Sequence, residues 1–230
     1  QCAFARRVFA TFASSGGRDY LDLACGTGAH LLHMQPHSFT QTGLDNSANM
    51  LAQAVIKVPS AKLLLADMAH LDCTAAFDLI TCFLYSIHYN HPTAVLEEAL
   101  TRAWQALKPG GLFIFNAVDA AGVRQNHSVT TRLREGDAEL RFESGWQYSG
   151  TGDLLELQLS ITRDSSLGIQ HWEDRHRMTA IPFDRLFASL SALGFDVTVL
   201  EHDYSTMRAW DGKSFNIIVV ATKPDEKSLI

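Results

Sequence analysis

The chain has no paired cysteines, no excess of basic charge and no apolar run of membrane-spanning length, and each absence closes off a class of function. Its four cysteines, Cys2, Cys25, Cys73 and Cys82, form no Cys-x-x-Cys pair and no spacing typical of zinc ligands. No metal is therefore expected. Cys25, Cys73 and Cys82 lie in or beside apolar runs, which fits free thiols in a reducing, cytoplasmic setting. The formal net charge is −6, so there is no overall basic footprint for a nucleic-acid backbone. No apolar stretch approaches the length of a bilayer span, and there is neither an internal repeat nor a low-complexity segment. The expected partner is a small molecule, with no nucleic acid and no membrane.

What is present is a globular composition. The 230 residues are 47% hydrophobic and 19% charged, enough for a sizeable core without staples. A single domain spanning residues 1–230 is expected, carrying one elaboration. The first residue is Gln1 rather than Met, which points to further sequence before it.

Hydrophobic periodicity lays out the order of elements. Phe4, Val8 and Phe12 recur every four residues, predicting a helix over 3–13 that Ser14-Ser15-Gly16-Gly17 stops. Strands are expected at 19–24, 38–45, 61–66, 77–83 and 112–118, with helices at 28–35, 47–57 and 93–107 between them. The runs at 61–66 and 77–83 are almost continuously apolar, as in parallel strands buried on both faces. Lys108-Pro109-Gly110-Gly111 ends the last of these helices. Alternating strands and helices predict an α/β fold with a parallel sheet and right-handed crossovers. Beyond Val118 the period falls to two. Segments near 140–148, 155–162 and 168–180 alternate apolar and polar residues, predicting a three-stranded antiparallel insert within 124–180. A helix at 182–193 and strands at 195–202 and 215–222 follow.

The chemistry begins at Leu21-Asp22-Leu23-Ala24-Cys25-Gly26-Thr27-Gly28, a strand running into a Gly-x-Gly turn and a helix. A dinucleotide fingerprint would place a third glycine where Leu31 stands, and a P-loop would need Gly-Lys-Ser/Thr. Two glycines with an acid inside the strand suit a ligand with an amino-acid end: N–H groups meet its carboxylate, and Asp22 its ammonium. Asp45 ends the second strand, where a carboxylate can accept both ribose hydroxyls or cap a helix. Asp67 ends the third, placed for an adenine amino group between Met50 and Met68. Three such strand ends share the carboxyl edge of one sheet, where open α/β folds bind ligands.

Residues 21–28, Gly43-Leu44-Asp45-Asn46-Ser47-Ala48-Asn49-Met50-Leu51, Ala66-Asp67-Met68, Phe77-Asp78-Leu79-Ile80 and Leu107-Lys108-Pro109-Gly110-Gly111 resemble the successive motifs of class I S-adenosylmethionine-dependent methyltransferases. The resemblance covers residues 19–118. It implies a Rossmann-like, mostly parallel seven-stranded sheet with its last strands antiparallel. It also implies S-adenosyl-L-methionine as cofactor and S-adenosyl-L-homocysteine as product. Asp45 would bind the ribose, Asp67 the adenine, and Asp22, Ala24 and Gly26 the methionine end. Gly28, Asn46, Met50, Ala66, Met68 and Phe83 complete the expected cofactor set. Ala24 departs from the glycine that the family often has there. The second half, with its insert and the stretch His171-Trp172-Glu173-Asp174-Arg175-His176, is similar to amino-sugar N-methyltransferases that act on nucleotide-linked sugars.

The segment Phe83-Leu84-Tyr85-Ser86-Ile87-His88-Tyr89-Asn90-His91 follows the fourth strand, beside the sulfonium in this fold. His88, then Tyr89, are the candidates for orienting or deprotonating an acceptor; a His packing on backbone or on Tyr85 is the alternative for His88. Tyr85, Asn116 and His127 are candidate acceptor contacts. Arg175 and His176 suit an anionic substrate, unless residues 173–177 form a solvated ladder of ion pairs. The insert would act as a lid or as the surface of a homodimer. Together these features predict a methyltransferase acting on a small molecule in a water-excluded site by in-line displacement. Nitrogen is favoured as acceptor, because an amine need only be neutral to attack. The competing functions are a nicotinamide-dependent oxidoreductase, which Leu31 opposes, and a non-catalytic protein that binds the cofactor.

Overall fold

The structure is a computed structural model that describes residues 1–123 and 127–225. Its centre is a seven-stranded sheet. The strands are β1 (Asp19–Leu23), β2 (Thr40–Asp45), β3 (Lys62–Leu65), β4 (Phe77–Cys82), β5 (Leu107–Val118), β10 (Asp196–Glu201) and β11 (Asn216–Thr222). They lie in the order β10-β11-β5-β4-β1-β2-β3. β1 through β5 pair in parallel, while β11 runs antiparallel to both β5 and β10. The chain winds outward from β1 to β3 and then returns to β4 on the other side. That reversal leaves a crevice at the carboxyl ends of β1 and β4, the place where doubly wound sheets bind ligands.

Helices cover both faces because their apolar stripes have the helical period. α1 (Cys2–Phe12) buries Phe4, Ala5 and Val8 against the face holding Tyr20, Leu79 and Ile114; α2 (Ala29–Met34) and α3 (Ala48–Lys57) complete that layer. α4 (Thr93–Ala106) buries Leu96, Ala99, Leu100 and Ala103 on the opposite face. α5 (Phe183–Leu193) packs beside it after Pro182 and ends at Gly194, whose φ of 97° closes the helix in the left-handed conformation.

Two expectations about the sheet need correction. The Lys-Pro-Gly-Gly stretch ends α4 but also opens β5, five residues earlier than the apolar run suggests, because Leu107 pairs with Phe77 before a register shift. Gly110 has φ 76°, and a Cβ there would stand 2.6 Å from the Ser15 nitrogen, so only glycine admits the Ser14–Ser15 turn that donates to its carbonyl. β3 is not buried on both faces. It is the sheet's edge, and Leu65 is 62% exposed.

The insert is a four-stranded antiparallel sheet: β6 (His127–Glu135), β7 (Ala138–Tyr148), β8 (Leu154–Ser165) and β9 (Gly168–Thr179), in sequence order. The three-strand expectation missed β6. Val129, Thr131 and Leu133 alternate there with Thr130, Arg132 and Arg134, but Val129 and Leu133 are exposed and the stripe is weak. The insert is anchored at its base. Asp153 accepts from the Thr93 backbone N–H at 2.9 Å and its hydroxyl at 3.1 Å, while Leu155 and Met178 pack on Val118 and Ala120.

Candidate active site

The turn after β1 is wound through three left-handed residues, Ala24 (φ 55°), Gly26 (φ 53°) and Gly28 (φ 79°). Glycine takes this conformation freely; at Ala24 the Cβ makes it cost about 1–2 kcal/mol. The Cys25 N–H donates to the Leu44 carbonyl at 3.0 Å, and the Gly26 N–H to Asp45 Oδ2 at 2.8 Å. Asp45 Oδ1 accepts from the Ser47 N–H at 2.9 Å, so two backbone donors fix this buried carboxylate. Gly43 makes the approach possible, since a Cβ there would lie 2.7 Å from Cys25 Sγ and 2.8 Å from Leu31 Cδ1. Ser47 caps α3 through the Met50 N–H, and Asp67 Oδ1 accepts from the Ala69 N–H at 2.9 Å.

These strand ends surround a cavity of about 480 Å³, within the range of about 300–1,000 Å³ typical of small-molecule sites. Among the expected residues, Ala24, Gly26, Asp45, Asn46, Met50, Ala66, Asp67, Met68, Tyr89 and His176 line it. Leu44, Ser47, Ser86 and Asn90 line it too; all four lie in the motifs quoted from the sequence, but none was given a role there. Asn90 is placed there by donating to the Ile87 carbonyl at 2.8 Å, a local bond that closes the 3₁₀ turn Ser86–Tyr89. The lining fits an adenosyl group: fixed acidic acceptors at two strand ends, two methionines for a flat apolar ring, and open space over Gly26, where a Cβ would meet no atom within 4 Å.

Asp22, Gly28 and Phe83 stand outside this lining. Asp22 is buried under the turn; Oδ1 accepts from the Thr81 hydroxyl at 2.8 Å, and Oδ2 lies 3.3 Å from His30 Nδ1. Burial alone would depress the His30 pKa, but its hydrogen bond to Asp22 and that residue's charge raise it above the ordinary value. Gly28 caps α2 and packs on Ala54. Phe83 is buried between the edges of His30 and Tyr204.

His88, the first candidate for handling the acceptor, has no free nitrogen. Its ring is fully buried. Nδ1 donates to the Thr179 carbonyl at 2.8 Å and Nε2 accepts from the Val118 N–H at 3.0 Å. Burial pulls its pKa down to about 4, so it stays neutral and ties the 3₁₀ turn Ser86–Tyr89 to β5 and β9. The packing alternative holds for this residue. Tyr89 is the group on the cavity wall. Its hydroxyl lies 2.9 Å from His176 Nδ1, and His176 Nε2 lies 3.3 Å from Asp174 Oδ2. Burial, and then the charge of Asp174, raise the Tyr89 pKa.

Successive residues of a strand face opposite ways, which separates Arg175 from His176. His176 shares a face with its cross-strand partner Leu157 and with Trp146, while Arg175 lines a different hollow with Glu143, Gln158 and Glu173. Arg175 therefore does not join the cavity. Tyr85 and Asn116 lie outside its lining in a polar cluster of their own, where Asn116 Nδ2 donates to His202 Nε2 and to the Tyr204 hydroxyl, both at 2.8 Å. His202, expected to end the strand at 195–202, and Tyr204 were given no site role in the sequence; both sit in the connector after β10. The side chain of His127 lies outside the described residues. Among the described residues, no helix is long and apolar enough to cross a membrane.

Comparison with known proteins yields consistent likenesses. A family model described as a methyltransferase domain matches residues 21–111. The chain is 30% identical over 188 residues to a dTDP-3-amino-3,6-dideoxy-alpha-D-glucopyranose N,N-dimethyltransferase of Streptomyces fradiae, covering 77% of this chain and 69% of that one. It is 27% identical over 192 residues to a dTDP-3-amino-3,4,6-trideoxy-alpha-D-glucopyranose N,N-dimethyltransferase of Streptomyces venezuelae, covering 79% and 76%. In fold it resembles an amino pentose methyltransferase of Micromonospora echinaspora, solved with S-adenosylmethionine bound. That match has a TM-score of 0.79 at 22% identity, covering 95% of this chain and 89% of the other.

Proposed function

The chain belongs to the S-adenosylmethionine-dependent methyltransferases, and we propose that it methylates the amine of a nucleotide-linked amino sugar. The named reactions of the two Streptomyces relatives support this acceptor class. The bound cofactor supplies an electrophilic methyl group on its sulfonium. In this proposal Asp45 accepts the ribose hydroxyls, Asp67 with Asn46 takes the adenine edge, Met50 and Met68 hold the ring, and the Ala24–Gly26 turn receives the methionine end.

The observation that carries the acceptor assignment is the Tyr89–His176–Asp174 chain on the wall of the same cavity. With the Asp174 carboxylate 3.3 Å from Nε2 as an ion-pair neighbour rather than a formed hydrogen bond, the proton is assigned to Nε2, which leaves Nδ1 as an acceptor for the Tyr89 hydroxyl. A sugar ammonium that meets Tyr89 can pass a proton to its oxygen as the phenolic proton moves to His176. The amine is then neutral and the imidazolium faces Asp174. Neutral nitrogen needs no further activation, so positioning carries most of the remaining work. The base of the insert, which brings His176, acts as a lid that keeps water from the transfer.

The test is turnover of dTDP-3-amino-3,6-dideoxyglucose by wild type and by His176→Ala and Tyr89→Phe, with S-adenosylhomocysteine affinity measured by calorimetry. His176→Ala is expected to lower kcat by about 10²-fold, in the range for a lost proton-transfer group, and to change cofactor affinity less than threefold. Unchanged kcat in both variants would remove the chain from the mechanism.

A further inference from the structure

The polar cluster beyond the cofactor cavity gathers residues from five separate segments. Leu84 and Tyr85, directly after β4, are both left-handed (φ 57° and 59°), an uncommon conformation for consecutive residues with side chains. It turns the chain so that the Tyr85 ring meets the edge of Trp146 from the insert (centroids 5.4 Å apart, planes at 84°) and lies tilted against His202 at 5.5 Å. The Tyr85 hydroxyl stands 3.4 Å from both His202 Nε2 and Asn216 Nδ2. Asn116 is buried near the end of β5 and spends both amide hydrogens on the 202–215 connector, at His202 and Tyr204. Tyr204 in turn contacts Phe83 and Phe4. The cluster adjoins the cofactor cavity through chain continuity: Tyr85 precedes Ser86, and both Ser86 and Tyr89 line that cavity.

Two features define what such a cluster recognises. Among the described residues, no Lys, Arg, Asp or Glu takes part in the side-chain hydrogen bonds among Tyr85, Asn116, His202, Tyr204 and Asn216, and Arg7 reaches only the Tyr204 carbonyl, so the cluster offers neutral donors and acceptors. It also presents the edges and faces of Tyr85 and Trp146, an apolar platform beside hydroxyl- and amide-sized polar groups. Because His202 Nε2 accepts from Asn116, its Nδ1 carries the proton, and among the described residues Nδ1 has no hydrogen-bond partner. The Tyr85 hydroxyl, held only by two long contacts, keeps acceptor capacity. Burial lowers the His202 pKa, which keeps this ring neutral. A hydroxylated, uncharged pyranose ring has the matching chemistry: apolar C–H faces for the aromatics and hydroxyl groups for His202 and Tyr85.

We propose that Tyr85 and His202, positioned by Asn116 and Tyr204, form the subsite that reads the ring hydroxyls of the acceptor sugar. The 202–215 connector is then a specificity-determining segment. The assignment rests on the amino-sugar reading of the site and goes beyond it, since it names which groups tell one sugar from another.

The experiment compares wild type, His202→Ala and His202→Gln in the full chain, using dTDP-3-amino-3,6-dideoxyglucose and its 4-deoxy counterpart as acceptors. In wild type, kcat/KM for the hydroxylated sugar is expected to exceed that for the deoxy sugar by tenfold or more. His202→Ala should bring the ratio near one, chiefly through KM. His202→Gln, which can still accept from Asn116 and donate onward, should restore part of it. Calorimetry with S-adenosylhomocysteine should give the same affinity in all three proteins, which shows that the fold is intact. An equal ratio in wild type and His202→Ala would overturn the subsite. If wild type turns over neither sugar, the amino-sugar reading itself fails. The subsite is then read by histidine-labelled NMR with methyl 3-amino-3-deoxy-α-D-glucopyranoside: a His202 shift at millimolar sugar upholds it, and no shift overturns it.

Discussion

Truncating His88 to Ala removes a fully buried imidazole that answers two backbone groups at once, the Thr179 carbonyl and the Val118 N–H. Each group is left buried without a partner at about 1–3 kcal/mol, so with lost packing the expected cost is about 4 kcal/mol. The same geometry sets a pH dependence. The folded pKa is about 4, below the ordinary histidine value of 6.5, so the unfolded chain takes up a proton that the folded chain refuses. This contribution is fully present above pH 6.5 and is lost progressively as the pH falls toward 4. At 1.36 kcal/mol per unit it amounts to about 3 kcal/mol. His88→Gln separates the two effects, because a carboxamide can accept from Val118 and donate to Thr179 without titrating. Urea unfolding at a series of pH values between 7 and 4, followed by tryptophan fluorescence and circular dichroism, measures both. His88→Ala should lower stability sharply at pH 7, and His88→Gln should flatten the decline relative to wild type. A wild-type decline no steeper than that of His88→Gln, together with a small cost for His88→Ala, would refute this structural role.

Other perturbations follow from the same geometry. Ala24→Gly relieves a left-handed alanine and should raise stability by about 1 kcal/mol in thermal or urea unfolding, with cofactor affinity kept. Asp45→Ala frees the Gly26 and Ser47 N–H groups and removes the carboxylate proposed to accept both ribose hydroxyls; at about 1.5–3 kcal/mol for each of the two charge-assisted bonds to those hydroxyls, S-adenosylhomocysteine affinity by calorimetry should fall at least 10²-fold. Lys108→Met strips the buried Asp78 of its ammonium partner at 2.8 Å and should cost about 3 kcal/mol, which Asp78→Asn in the same chain should largely restore. Burial alone would raise the Asp78 pKa, but hydrogen bonds from Lys108 and the Asp19 N–H hold it below the usual carboxylate range. Its stabilisation is therefore present above the unfolded carboxylate pKa and lost in acid.

The parts legible in the sequence are those written in local patterns. The turn after β1, the acids closing β2 and β3, and the helical stripe of α4 depend on residues within a few positions of one another. Their places at the cavity, from Ala24 to Met68, could be anticipated. What resisted was set by distant partners. His88 and Tyr89 are adjacent, and only the fold decides that one faces Thr179 and Val118 while the other faces His176. Arg175 and His176 differ by the strand's period of two, a distinction available in the sequence once β9 is recognised as extended. β6 escaped because its apolar side chains are exposed. His202 and Tyr204 join Asn116 across 86 and 88 residues, a convergence that no local spacing encodes.

The most direct test of the proposed activity uses S-adenosylmethionine labelled with ¹³C in its methyl group, incubated with the chain and dTDP-3-amino-3,6-dideoxyglucose. Carbon NMR of the product distinguishes a methyl group bound to nitrogen from one bound to oxygen. An N-methyl resonance on the sugar, reduced about 10²-fold in rate by His176→Ala, is the expected result. An O-methyl signal, or label that stays on the cofactor while S-adenosylhomocysteine still binds, would contradict transfer to a sugar amine.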